Sequence, residues 1–295
     1  MGHDHSSHVK TYGKAFAIGI GLNIAYVIIE VLYGLAIDSS ALLADAGHNA
    51  SDVLSLVFAW FAMSIAQKRP AQKYTYGLRR STILVSILNA LLLFGAAGVI
   101  GWEAWNKLYE PVEVPGTQLI IVASIGIVIN TLTALLFIKG QKKDLNIKGA
   151  FLHMAADAGV SVGVVAAGLL INTTGYHWID PVTSFLILLI ILYGTWQLFI
   201  DSLNLALDAV PKNIDYLEVE RFLSSHQHVR SIHDLHIWAM STTENVLSVH
   251  LVVAEEASDD LLKRIKHELH DKFGITHTTI QLEQSRLDDS LSSNE

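Results

Sequence analysis

Two pairs of ionisable side chains lie within long apolar stretches of this 295-residue chain. The pairs are His48 with Asp52 and His153 with Asp157, so that each His is followed by an Asp four residues later. Four residues advance an α-helix by about one turn, so the two members of each pair share a helix face. Two imidazoles and two carboxylates supply the four ligands that a tetrahedral divalent metal requires. Because ionisable groups at membrane depth mark ion pathways, the pattern predicts a metal-ion transporter.

A structural role is the alternative, because polar side chains in membrane helices also hydrogen-bond to neighbouring helices. Neither apolar stretch contains Lys or Arg, however, so its buried carboxylates lack a basic partner. Burying a carboxylate without a partner would cost on the order of several kcal/mol. A shared metal satisfies all four groups, and we favour it. Asp45, on the same helix face as His48, is interpreted as an outer partner that orients this imidazole.

The composition limits the class of protein. Hydrophobic residues make up 51% of the chain and charged residues 16%, with the charges concentrated after residue 205. This distribution predicts a membrane domain followed by a soluble one of roughly 80 residues. The net charge of −8 argues against a nucleic-acid partner. The absence of cysteine excludes disulfides and thiolate metal sites.

Six apolar segments are long enough to cross a bilayer, which requires about 20 helical residues. We therefore predict an α-helical membrane protein with six transmembrane helices. The expected limits are a flexible His-containing tail over 1–14, a transmembrane transport domain over 15–207, a cytoplasmic domain over 208–285 and a disordered tail over 286–295. The predicted spans are Phe16–Ile37, Ala41–Ala66, Thr82–Trp105, Gln118–Ile138, Gly149–Ile171 and Ile179–Ile200.

Positive charges lie in only two of the predicted links. Residues 68–80 hold five Lys or Arg and residues 139–148 hold four, whereas the links after the first, third and fifth spans hold only Lys107. Lys and Arg concentrate on the cytoplasmic side of membrane proteins. Both termini and the C-terminal domain are therefore predicted to be cytoplasmic.

Other polar residues in the spans give weaker signals. Asn23 and Glu30 share a face of the first span and either line a cavity or hydrogen-bond between helices, as do Asn89 and Asn130. Asp180, followed by a proline, predicts the N-terminus of the sixth helix. The tail residues His3, His5 and His8 either gather metal weakly or are unstructured, and we favour the second interpretation. Glycines that predict close helix packing are Gly19, Gly21, Gly95, Gly98, Gly159, Gly163 and Gly168.

The hydrophobic pattern after Pro211 predicts a helix, two strands over Ser231–Trp238 and Val246–Val253, a helix, and a strand over Thr278–Glu283. This α-β-β-α-β order is typical of an α+β sheet covered on one face by helices. Alternation along the strands places His236, His250 and Glu283 on one face, opposite Ile280 and Leu282.

These three residues are a candidate Zn²⁺ site, and a solvated sheet face is the alternative. His233 has the opposite parity, but it lies where a loop could redirect it. We expect His226, His228, His267 and His270 to be exposed rather than ligands.

The chain resembles the cation diffusion facilitators, specifically the bacterial zinc, cadmium and cobalt efflux members and vertebrate zinc transporters. The resemblance rests on the six spans, the Ala41–Asp52 block, the HxxxD of the fifth span and the segment 233–238. It covers nearly the whole length of the chain.

The resemblance implies a homodimer, in a bacterial inner membrane, that exports Zn²⁺, and also Cd²⁺ or Co²⁺, in exchange for protons. It also implies a ferredoxin-like, metallochaperone-like cytoplasmic domain with Zn²⁺ as a regulatory ligand, and no organic cofactor. The transport ligands would be His48, Asp52, His153 and Asp157.

Two features depart from relatives of this kind. Residues 72–76 lack the His and Asp that some relatives carry, so no metal is expected there. Gln281 stands where some relatives have His, so we expect incomplete occupancy of a two-metal cytoplasmic site.

Three other functions are compatible with parts of this pattern. A membrane metalloenzyme would need an open zinc position and a general base, and the sequence has no HExxH motif. A membrane metal sensor would need no flux. An exporter of Mn²⁺ or Fe²⁺ has the same fold, but two imidazoles favour Zn²⁺ over the harder Mn²⁺.

Overall fold

A computed structural model describes residues 6–66, 68–110, 112–138, 145–254 and 259–284. Six long helices come first along the chain. Five of them, α1 and α3 to α6, are long and apolar enough to cross a membrane. The helices are α1 Ser6–Ala36, α2 Ser40–Ala66, α3 Ser81–Tyr109, α4 Gly116–Phe137, α5 Leu145–Thr174 and α6 Ile179–Ala206.

Helix α2 is the remaining predicted span. Its 27 residues extend about 40 Å at 1.5 Å per residue, which exceeds the hydrocarbon thickness of about 30 Å. Its apolar sequence carries the polar residues Asp45, His48, Asn49 and Asp52. We therefore interpret α2 as the span that carries polar groups into the membrane domain.

The long helices begin and end within six residues of the predicted limits, except at the start of α1. Helix α1 begins at Ser6, so residues 6–14, which were predicted to be a flexible tail, are helical. A helix keeps its own backbone hydrogen bonds, so it can continue past the apolar stretch that spans the bilayer. Residues 1–5 and the predicted tail at 286–295 lie outside the described residues.

A buried carboxylate fixes the start of α2. Asp180, in the first turn of α6 as predicted, accepts hydrogen bonds from the Ser39 hydroxyl and from the backbone N–H groups of Ser40, at 2.7 Å, and Ala41, at 3.4 Å. The first N–H groups of a helix have no partner within it, and a negative charge there is favourable. Asp180 thereby joins α6 to the helix that carries His48.

Close helix packing at glycine is confirmed at two positions. A Cβ on Gly168 would lie 2.9 Å from the Gly116 carbonyl oxygen, and one on Gly19 would lie 2.9 Å from the Thr133 methyl group. The prediction fails elsewhere, because within the described residues nothing lies within 4 Å of a Cβ at the remaining positions. These are Gly21, Gly95, Gly98, Gly159 and Gly163.

The chain forms two compact units. One comprises Met1–Phe58 and Asn89–Gln197, and the other comprises Ala59–Leu88 and Leu198–Glu295. Within the second unit, Arg79 pairs with Glu244 at 2.7 Å, and the backbone N–H of Thr242 donates to the Thr82 hydroxyl at 3.1 Å. The domain limits given in the sequence analysis remain predictions.

The C-terminal part of the second unit has the predicted α-β-β-α-β order. Its elements are α7 Tyr216–Ser224, β1 Val229–Ala239, β2 Asn245–Val253, α8 Asp259–Phe273 and β3 Ile275–Glu283. The sheet order is β1-β2-β3, with β1 antiparallel and β3 parallel to β2.

Alternate residues of β2 form the core of this domain. Leu247, Val249 and Leu251 are buried in one cluster with Leu223 of α7 and Ile265 of α8. The opposite parity of β2 holds Ser248 and His250 between Val246 and Val252. Leu282 of β3 was expected in the core but is 36% exposed, whereas Ile280 packs against the core.

Candidate metal sites

The four ionisable residues predicted in the membrane domain lie together between α2 and α5. His48 Nε2 is 3.2 Å from Asp157 Oδ1, and His153 Nε2 is 3.1 Å from Asp52 Oδ2. His153 Nε2 is also 3.7 Å from Asp157 Oδ2. Asp157 therefore contacts both imidazoles, and the two HxxxD pairs form one cluster.

The spacing of these atoms suits a metal as well as hydrogen bonds. Ligand atoms about 2.0–2.2 Å from a tetrahedral Zn²⁺ are about 3.3–3.6 Å from one another. One ligand atom from each of His48, Asp52 and Asp157 lies within 4.8 Å of the others. The side chain of Asp157 is 1% exposed, whereas that of His153 is 41% exposed, so the cluster is buried on one side and open on the other.

Asp45 lies beside this cluster, but its hydrogen bonds go elsewhere. Its carboxylate accepts from Asn49 Nδ2 at 3.4 Å and from the Ser161 hydroxyl at 3.3 Å. Within the described part of the chain no hydrogen bond joins Asp45 to His48. Direct orientation of that imidazole by Asp45, as expected from the sequence, is thus unsupported.

The other polar residues of the spans are also buried. Glu30 accepts a hydrogen bond from Asn49 Nδ2 at 3.0 Å, so it contacts α2 across the helix interface. Asn23 and Asn130 are buried, and among the described residues Asn23 Oδ1 and both polar atoms of Asn130 have no hydrogen-bond partner. Asn89 is buried with a polar or ring partner of its own.

A second cluster lies on the sheet face opposite the core of the C-terminal domain. His233 Nε2 is 2.9 Å from Glu283 Oε2, and His250 Nδ1 is 3.0 Å from Glu283 Oε1. Ligand atoms of His233, His250 and Glu283 lie within 4.8 Å of one another. The Glu283 side chain is 2% exposed and those of His233 and His250 are 11% and 22% exposed.

His236 is in a different place from that expected. It is 64% exposed and lies 2.8 Å from Asp234 Oδ1, while Asp234 Oδ2 is 3.7 Å from His250 Nε2. The structure therefore groups His233, rather than His236, with His250 and Glu283, and among the described residues Asp234 links His236 to His250.

A β-bulge explains the difference. The register of β1 against β2 shifts between His233 and His236, and Asp234 has a φ of 53°. An extra residue in one strand breaks the alternation of faces, so His233 pairs directly with His250. The simple parity count had placed His233 on the other face. The sequence prediction did not include Asp234, although it has the same parity as His236.

The remaining histidines of this domain differ in exposure. His267 and His270 are 76% and 64% exposed, as predicted. His228 and His226 are partly buried, against expectation, and His226 packs edge-on against Phe222 at 4.8 Å between ring centroids. Burial lowers the pKa of His226 because the charged imidazolium would lose hydration.

The fold and the first cluster define a membrane protein of several transmembrane helices with a His/Asp cluster inside it. Two family models match: "Cation efflux transmembrane domain" over residues 16–205 and "Cation efflux protein, cytoplasmic domain" over residues 211–285. The chain belongs to the cation efflux family. It is accordingly a membrane transporter and not an enzyme.

Three curated relatives illustrate this membership. The chain is 39% identical to the "Metal cation efflux system protein CzcD" of Cupriavidus metallidurans, covering 96% of this chain and 90% of that protein. It is 36% identical to the "Cadmium, cobalt and zinc/H(+)-K(+) antiporter" of Bacillus velezensis (96% and 92%). It is 34% identical to the "Zinc transporter ZitB" of Escherichia coli (96% and 93%).

Among solved structures, the chain is similar to "Metal-bound C-terminal domain of the CzcD transporter from Cuprividus metallidurans". The identity is 42%, covering 24% of this chain and 99% of that one, and the TM-score is 0.23.

Proposed function

We propose that this chain exports Zn²⁺, and also Cd²⁺ and Co²⁺, from the cytoplasm in exchange for protons. The transported ion would be bound by His48, Asp52, His153 and Asp157. The observation that carries the proposal is the convergence of these side chains in helices that hold no Lys or Arg between Lys14 and Lys68 or between Lys148 and Lys212. A divalent cation would neutralise the carboxylates of Asp52 and Asp157.

The donor set supports zinc as the main substrate. Two imidazole nitrogens and two carboxylate oxygens suit Zn²⁺ and Co²⁺ better than Mn²⁺ or Mg²⁺, which prefer all-oxygen sites. The three relatives described above are named for zinc, cadmium or cobalt, or for metal cations in general, which agrees with this preference.

Exchange with protons follows from the contacts within the cluster. Each imidazole Nε2 lies within 3.2 Å of a carboxylate oxygen, so a protonated imidazole would be attracted to the carboxylate beside it. Metal binding needs neutral imidazoles and ionised carboxylates, so metal and protons compete for the same atoms. An inward proton gradient can then displace metal on the outer side and return the site protonated.

The test is zinc movement in proteoliposomes that contain the purified chain. With an acidic lumen, Zn²⁺ uptake is expected to rise several-fold over the rate without a gradient, while the lumen becomes more alkaline. An ionophore that collapses the gradient should return uptake to the lower rate, and protein-free vesicles give the background. Zinc movement that is indifferent to the imposed gradient would rule out exchange.

We further propose that the protein works as a homodimer in a bacterial inner membrane with both termini in the cytoplasm. The positive charges at 68–80, on the cytoplasmic side of such a topology, support this orientation. The match of residues 211–285 to the cytoplasmic domain of cation efflux proteins agrees with it.

The C-terminal cluster would bind a regulatory Zn²⁺ through His233, His250 and Glu283, with Asp234 and His236 beside it. Metal would replace the two His–Glu283 contacts with bonds to one ion. Because these contacts join β1, β2 and β3, a bound ion would fix the three strands at this edge of the sheet. Gln281 donates to Glu283 at 2.9 Å, so its amide orients this carboxylate and does not compete for the metal.

His250→Ala and His236→Ala distinguish the proposed ligand set, His233, His250 and Glu283, from the set that strand alternation predicts, which includes His236. Loss of His250 removes a central ligand, so the chain should bind about one zinc fewer per protomer by equilibrium dialysis with metal analysis. His236→Ala should weaken binding to the same site far less, because His236 contacts the cluster only through Asp234. His267→Ala, on an exposed helix face, is the control. An equal loss in the first two variants contradicts the proposed ligand set.

A further inference from the structure

Two carboxyl groups outside the His/Asp cluster lie together in the interior of the membrane domain. Glu30 of α1 and Asp45 of α2 are both 0% exposed. The single amide nitrogen Asn49 Nδ2 lies 3.0 Å from Glu30 Oε2 and 3.4 Å from Asp45 Oδ1. One donor thus bridges two acids, and no part of the proposed metal-binding mechanism uses them.

Among the described residues, neither of these acids has a Lys or Arg partner. The sequence contains no Lys or Arg between Lys14 and Lys68, the segment that supplies both acids. Two adjacent buried carboxylates repel each other, and each loses its hydration, so both cannot be ionised at once without a nearby cation. One proton shared by the two groups removes the repulsion.

A third group is aimed at the pair. The Tyr26 side chain is 0% exposed, and its hydroxyl lies next to Glu30 and Ser161. Ser161 of α5 donates to Asp45 Oδ2 at 3.3 Å. A phenol, a hydroxyl and an amide therefore surround the two acids and form a buried polar network with them.

We propose that Glu30 and Asp45 together hold one proton, which leaves when metal binds to the His/Asp cluster and returns when metal leaves. This inference rests on the proposed function and deepens it, because it places a coupled proton outside the metal ligands. The proton goes to, and comes from, the aqueous side to which the site is open, and no bond other than O–H changes.

The coupling is electrostatic and acts over a short path. Asn49, which bridges the pair, directly follows His48, and Ser161 lies one helical turn after Asp157. The charged or titratable groups that face the pair are Tyr26 on its own helix α1, His48 on α2 and Asp157 on α5. A divalent charge at the cluster favours ionised carboxylates nearby, so it expels the shared proton.

Glu30→Gln tests the count of protons. Zinc is titrated into the purified full-length protein in weakly buffered detergent solution at pH 7, and released protons are read with a pH indicator. The variant should bind zinc yet release about one proton fewer per zinc than the wild type, since only Asp45 remains and it stays ionised. Glu113→Gln, an exposed Glu in the α3–α4 link, should release the wild-type number. An unchanged count in a zinc-binding Glu30→Gln protein overturns the proposal.

Infrared difference spectroscopy on the wild type gives a second readout that needs no variant to fold. Zinc addition should remove a C=O band of a protonated carboxyl group, and Asp45→Asn or Glu30→Gln should abolish this change. A wild-type spectrum without such a band overturns the proposal. Failure of the proposed function looks different: zinc flux would then ignore the pH gradient, whatever these two equilibrium measurements report.

Discussion

Asp157→Ala is expected to abolish metal export, with the rate of zinc transport falling by about 100-fold or more. Asp157 contacts both imidazoles of the cluster, at 3.2 Å and 3.7 Å, and it is the most buried of the four residues for which we propose a ligand role. Loss of a residue that only orients a ligand typically costs about 10–100-fold in affinity or activity, so loss of a ligand shared by the cluster should cost at least as much.

Transport is measured as zinc uptake into proteoliposomes with an acidic lumen, at equal protein content by gel filtration. Asp52→Ala should be less severe, because among the described residues its ion pair is with His153 and its side chain is 26% exposed, so water can replace it. Glu113→Ala, in the exposed α3–α4 link, controls for loss of a carboxylate as such. Asp157→Ala protein that keeps half of the wild-type flux would remove Asp157 from the ligand set.

Gly126→Ala is expected to impair both folding and transport. A Cβ at position 126 of α4 would overlap the Tyr26 hydroxyl and its ring carbon, and would lie 2.9 Å from the Ser161 hydroxyl. The overlap is with a fully buried ring, which cannot move aside without displacing its neighbours. Overpacking of this kind costs about 1–3 kcal/mol. Any relief of it moves Tyr26 or Ser161 away from the Glu30–Asp45 pair.

A lower melting temperature in detergent and an approximately tenfold lower zinc flux are the expected readings. Gly159→Ala on α5 is the matched control, because nothing lies within 4 Å of its Cβ within the described residues. Combining Gly126→Ala with Tyr26→Leu should recover part of the stability, since the smaller side chain vacates the overlapped space. Wild-type stability and flux in Gly126→Ala alone would show that α1 and α4 are further apart than the structure places them.

The helices and strands could be predicted from the sequence because each has a characteristic hydrophobic periodicity. Apolar runs of about 20 residues are typical of membrane-spanning helices, and alternation over 246–253 buries one face of a strand. The pairing of His48 with Asp52 and of His153 with Asp157 was visible for the same reason, since four residues make one helical turn. Asp180 lies at the N-terminus of α6, as predicted. Its carboxylate, however, accepts hydrogen bonds from the first N–H groups of α2.

The sequence by itself determined which helices carry the ionisable groups, the order of the α+β domain and the charge balance that calls for a cation. Only the tertiary structure decided which groups meet. The bulge at Asp234 places His233 on the same sheet face as His250, whereas regular alternation predicted the opposite face. The contact between α1 and α2 brings Glu30 and Asp45 to the same Asn49 amide. The physical reason is that hydrophobic periodicity predicts only which face of its helix or strand a side chain occupies. Contact between elements depends on how they cross and on single-residue irregularities, which no repeating pattern encodes.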